Sequence, residues 1–162
     1  ELKYPHFGPS LASPIHIDFK EPFLFLKNKM SESDIFISNV NFYGGFYIKR
    51  RLDYWLWLLD ESKIGYVEDT KTKTNKGYFV KHYSEYGSYL INDYETLCNV
   101  IDMEKNKGDF YFVIYAMFLP YSIQKYYNPF IESLSKAYNI QVIYKDDNNY
   151  VTIYKIKRET IK

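Results

Sequence analysis

A chain of 162 residues with 20% aromatics is long enough to bury one well-packed core, and its formal charge of +1 provides no global field to gather nucleic acid. No apolar run approaches the roughly 20 residues that cross a bilayer as a helix, and no signal-peptide pattern is legible, so a soluble domain is expected. The lone Cys98 cannot close an intrachain disulfide and has no CxxC or Cys/His neighbourhood, which predicts a small buried helix residue rather than a metal ligand.

Residues 1–19 hold three prolines and no periodicity, and read as an irregular lead-in or linker to a single α/β domain over 20–162. Glu1 stands where an initiator methionine would, as in a processed chain or a piece of a longer one; a membrane-proximal linker and tag removal both explain it. Residues 21–30 open with Glu-Pro, a favoured helix start, and turn Phe23, Leu26 and Met30 inward. A polar turn leads to a short apolar strand over 35–40. After Gly44-Gly45, the leucines and tryptophan at Leu52, Trp55, Leu56 and Leu59 recur at three- and four-residue steps, which predicts a helix through RRLDYWLWLL. Residues 64–67 read as a strand, EDTKTKTNKG over 68–77 as a mobile loop, and 78–83 as a short strand or an extended return.

Asn92 with Glu95 three positions on makes a capping-box-like start for a helix whose inner face is Leu97, Val100 and Ile101, ending near Lys107-Gly108. FYFVIYAMF, residues 110–118, is apolar on both alternating faces, as a central strand is, and Pro120 stops it. A helical stretch over 121–127 precedes Asn128, a predicted cap, with Pro129 at the first helical position and Phe130, Ile131, Leu134, Ala137 and Tyr138 facing the core. Strands over 141–144 and 150–156, joined by KDDNN, form a hairpin. The alternation predicts a three-layer, mainly parallel, Rossmann-like sheet with an antiparallel edge hairpin.

Chemical motifs are sparse. The glycines of NVNFYGGFY lack the GxGxxG spacing, a Walker-type loop and a GxSxG elbow are missing, and Ser122 suits helix capping. His6, His16 and His82 are scattered, so neither a metal nor a cofactor is expected. Asp53, Asp60, Glu61, Glu68 and Asp69 offer carboxylates for acid/base work only if two converge in a cleft; for Asp53 the plain alternative is an ion pair with Arg50 or Lys49 on a helix surface, worth ~0.3–0.5 kcal/mol. The densest chemistry is Lys49, Arg50, Arg51, Asp53, Tyr54, Trp55 and Trp57. Arginine grips phosphate and flat rings stack on sugars; Trp and Tyr equally sit at lipid headgroups. In the plainest reading Trp55 and the leucines are core and the arginines are solvated.

The stretches EPFLFLKNKMSESDIFISNV, GGFYIKRRLDYWLWLLD and LINDYETLCNVI…GDFYFVIYAMF resemble the soluble C-terminal domain of multi-spanning glycosyltransferases related to dolichyl-phosphate-mannose-protein mannosyltransferases. Tyr47, Arg51, Asp53, Tyr54 and Trp55 stand in the order of that family's Tyr-x-x-x-Arg-x-Asp-Tyr-Trp segment, and the resemblance spans most of residues 20–157. Gly44-Gly45 and the basic run Lys49-Arg50-Arg51 depart from it. The resemblance implies a short strand ahead of the capped helix, catalytic carboxylates in loops between membrane helices outside this chain, and no catalytic residue within it. It further implies an extracytoplasmic domain, tethered by transmembrane parts of the same polypeptide, that shapes access of a lipid-linked sugar or its acceptor. Two alternatives stand beside it: a free-standing doubly wound enzyme with its site near Asn39, Asp69 and Tyr121, and a protein-interaction module using a tyrosine-rich surface.

Overall fold

Four mutually parallel strands form the middle of one mixed sheet, and their composition explains why they are there. The computed structural model describes residues 20–39, 47–58, 72–74, 77–82, 86–115 and 123–157. Within them β1 (Ile35–Ser38), β2 (Tyr54–Leu56), β3 (Thr72–Thr74), β4 (Gly77–His82), β5 (Tyr86–Ile91), β6 (Phe110–Tyr115), β7 (Ile140–Lys145) and β8 (Val151–Ile156) join in the order β3-β4-β5-β2-β1-β6-β8-β7. The pairs β5/β2, β2/β1 and β1/β6 are parallel, and β1, β2 and β6 are buried at every residue, as strands covered on both faces must be. Outside this centre the pairing is antiparallel on both flanks. The expected edge hairpin is present as β7–β8, and β3–β4 forms a second one at the opposite edge.

Alternation along the strands sorts the apolar residues into two cores. Phe36, Trp55, Leu90, Tyr111, Val113 and Ile153 lie on one face with Phe23 and Leu26 of α1 (Lys20–Lys27) and with Ile48 and Leu52. Ile35, Ile37, Tyr54, Leu56, Phe110 and Phe112 lie on the other, against Leu97, Val100 and Ile101 of α2 (Tyr94–Met103) and Phe130 and Leu134 of α3 (Asn128–Ala137). Complete burial of a leucine or phenylalanine contributes about 1.5–3 kcal/mol, so these two clusters hold the fold. A bulge between Val142 and Tyr144 reverses the alternation of β7 and turns Tyr144 onto the α1 face, where its ring lies 5.2 Å from Phe25.

Several expectations are changed or completed. Residues 54–56 are a strand rather than a helix: Trp55 and Trp57 face α1 while Tyr54, Leu56 and Leu58 face the opposite core, and with every position apolar the helical spacing of the leucines was coincidental. The hydrophilic 68–77 run includes β3, which pairs antiparallel with β4. Strand β5, which the resemblance implied but no residue pattern announced, carries the ladder between β2 and β4. The α2 cap is Asp93, one residue after the expected Asn92, and its carboxylate accepts from the Thr96 amide at 2.6 Å. A single π-helical turn, Ile123–Tyr127, runs straight into α3, so Asn128 is helical and Pro129 lies in the first turn. Cys98 lies on α2 as expected but is half-buried. The 1–19 lead-in, Gly44-Gly45, the 64–67 strand and Ser122 lie outside the described residues.

Candidate functional site

At the amino ends of the parallel strands, polar side chains tie loops together. Asp34 is buried just before β1; its Oδ2 accepts from the Ser31 amide and its Oδ1 from the Asp109 amide, each at 2.7 Å, joining the starts of β1 and β6. Gly108 donates to the Ser33 carbonyl at 2.7 Å, so close to Asp34 that a Cβ there would fall 2.0 Å from Oδ1. Alongside, Asp53 Oδ2 accepts from the Phe36 amide at 2.8 Å and from Arg50 Nη2 at 2.9 Å. Arg50 also donates to the carbonyls of Ser31 and Asp34. Burial pushes the Asp53 carboxyl above its ordinary range, outweighing the Phe36 amide and the Arg50 guanidinium, which pull it down. Tyr54 donates to Glu104 Oε1 at 2.7 Å, and burial plus that carboxylate raise its phenol strongly.

The seven candidate residues therefore divide. Tyr54 and Trp55 are 2% and 4% exposed and belong to the core, where a central strand places them. Trp57 is half-buried, its ring 5.2 Å from that of Trp55. Arg50 and Asp53 form the ion pair with each other, yet with backbone groups as further partners rather than as an isolated surface pair. Lys49 and Arg51 are exposed, and Lys49 takes a left-handed turn at φ 58°. Sequence spacing offered Arg50 or Lys49 on a helix surface as the partner of Asp53, and the structure selects Arg50 in a turn ahead of β2, whereas Asp34, Gly108 and Asp109 were missed as a unit because 75 residues separate Asp34 from Asp109.

At the carboxyl ends, β1 and β6 are neighbours reached from opposite sides of the sheet, the position where open α/β sheets place ligands. Here the Asn39 amide spans them: Nδ2 donates to the Tyr115 carbonyl and Oδ1 accepts from the Tyr115 amide, both at 2.8 Å. The side chain imitates one more ladder step and uses both of its polar atoms on backbone. Tyr127 donates to the Leu56 carbonyl at 3.3 Å, and burial pushes its phenol up to about 12. Of the alternative enzyme's three markers, Asn39 is thus engaged structurally, and Asp69 and Tyr121 lie outside the described residues. Among the described residues no group of three or more His, Cys, Asp or Glu side chains is placed to hold a metal ion, and no helix is long and apolar enough to cross a membrane.

These features define an α/β domain on a mixed sheet whose polar side chains chiefly join its own strands. The chain matches no family model, no curated protein and no solved structure.

Proposed function

We propose that the chain is a non-catalytic, extracytoplasmic domain of a membrane glycosyltransferase related to the dolichyl-phosphate-mannose-protein mannosyltransferases, helping to shape access of a lipid-phosphate-linked sugar or its acceptor. One observation carries the reading: of the five residues through which the chain matches that family's segment, all but the exposed Arg51 are spent on architecture. Tyr47 stacks on Phe23 at 6.3 Å, Asp53 holds the start of β1, and Tyr54 and Trp55 fill opposite faces of β2. A motif used this way marks a fold, and it leaves the chemistry to another part of the polypeptide. In the same reading the sheet is three-layered and Rossmann-like; the parallel strands run third, second, first, fourth in chain order, and helices from each end of the chain pack on different faces.

The test is fractionation of the native gene product from its source cells. Recovery in membranes after alkaline wash, with residues 20–157 cleaved by protease added from the extracytoplasmic side, supports the proposal. Release as a soluble protein of this chain's size overturns it.

A further inference from the structure

The exposed charge of the described residues is unevenly spread. On α1, the turn after it and residues 47–52, the exposed cations are Lys20, Lys27, Lys29, Lys49 and Arg51, against two exposed acids, Glu21 and Glu32. Exposed side chains of α2, α3 and the turns beside them mix the two signs: Asp93, Glu95, Asp102 and Glu132 oppose Lys105, Lys107, Lys125 and Lys136. The basic residues lie on one side of the sheet, because Tyr47 stacks on Phe23 of α1 and Arg50 reaches the carbonyls of Ser31 and Asp34 beyond its end. Arg50 and Asp53 neutralise each other within this region and Lys20 has a partner of its own, so the outward field comes from Lys27, Lys29, Lys49 and Arg51.

Apolar groups stand among those charges. Leu24 is 37% exposed and shares the outer stripe of α1 with Lys20 and Lys27, at steps of four and three residues. Phe25 is half-buried under the Lys29 ammonium, 5.8 Å from its ring, and a shallow depression of ≈ 470 Å³ opens between Lys20, Glu21, Leu24, Phe25 and Asn28. Lysines around a protruding leucine suit a surface that presents anions and hydrocarbon at adjoining depths. A nucleic acid would use stacking rings beside the cations, but Tyr54 and Trp55 are internal.

We propose that α1 together with Lys49 and Arg51 is a docking face for an anionic lipid surface. The inference rests on charge and exposure and is independent of the tethered reading, so it is tested on the free chain. Sedimentation with vesicles of neutral phosphatidylcholine, with and without anionic phosphatidylglycerol, reads it directly. Binding is expected only with the anionic vesicles at about 0.05 M salt, weakening steeply towards about 0.5 M as screening shortens the field. Lys49→Glu/Arg51→Glu is expected to weaken it by about tenfold or more. Lys105→Glu/Lys107→Glu, the same charge change beyond the end of α2, leaves it unchanged. Circular dichroism confirms that each variant is folded, and Lys27→Glu supplies a second probe on α1. Equal binding to neutral vesicles, equal loss in both double variants, or tighter binding to a single-stranded oligonucleotide overturns the proposal.

Discussion

Gly108→Ala tests the join between β1 and β6 most sharply. The new methyl group would lie 2.0 Å from Asp34 Oδ1 and 3.1 Å from both Asp34 Cα and Cγ. The carboxylate must swing away, and its bond from the Asp109 amide is lost in a part-buried setting. A hydrogen bond to a charged group is worth about 1.5–3 kcal/mol, and leaving its partner unsatisfied adds to the cost. Reduced freedom of the unfolded chain returns about 0.4–1 kcal/mol. The expected net loss is about 2–3 kcal/mol, or a fall of roughly 4–12 °C in Tm for a domain of this size. Urea unfolding followed by circular dichroism measures it, and a double-mutant cycle isolates the cause. In an Asp34→Ala background only the 3.1 Å approach to the Asp34 backbone remains. Gly108→Ala should then cost under about 1 kcal/mol, giving a coupling of at least about 1 kcal/mol. Additive losses would refute the reasoning, since they would mean that the methyl group strains something other than the Asp34 carboxylate.

Arg50→Ala and Asp53→Ala should each destabilise by about 2–3 kcal/mol and the double variant by little more than either, because both act on one hydrogen-bonded unit; urea midpoints of the three variants check this. Carboxyl chemical shifts should show Asp53 titrating above 3.8, so that its ionisation removes stability as pH rises from 3.8 through the folded value; Asp53→Asn should lack that component. Tyr127 keeps its proton longer folded, at about 12, than unfolded, at 10.0, so the stability it contributes is fully present below pH 10 and declines across that window. The decline should amount to about 3 kcal/mol and be absent in Tyr127→Phe, as stability measured against pH will show. Val142→Lys, at a position 58% exposed on the edge strand, should change stability by less than about 0.5 kcal/mol, whereas Leu134→Ala, at 0% exposed, should cost about 2–5 kcal/mol on thermal unfolding.

How far the site could be read before folding depended on the separation of its parts. Arg50 and Asp53 are three residues apart, and their opposite charges suggested the pair. That Asp53 also receives the Phe36 amide, and that Asn39 completes a ladder step with Tyr115, depends on strand register, which no local pattern states. The basic face was half legible: Lys49 to Arg51 stood out as a run, but its association with the lysines of α1 required the Tyr47–Phe23 stack.

The amino-acid sequence by itself determined the elements with an unambiguous period or cap: α1 through Phe23 and Leu26, α2 through Leu97, Val100 and Ile101, β6 through its unbroken apolar run, and the β7–β8 hairpin through its Asp/Asn turn. Only tertiary structure decided β2, β3 and β5. The run YWLWL is apolar at every position, so its hydrophobicity carries no period, and its strand form comes from the backbone partners that β1 and β5 supply on either side. The cores on the two faces of that sheet bury Tyr54 and Trp55, while Lys49 and Arg51, ahead of β2, face water. Exposure of a side chain follows from what covers its face of the sheet, and that is a property of the assembled layers.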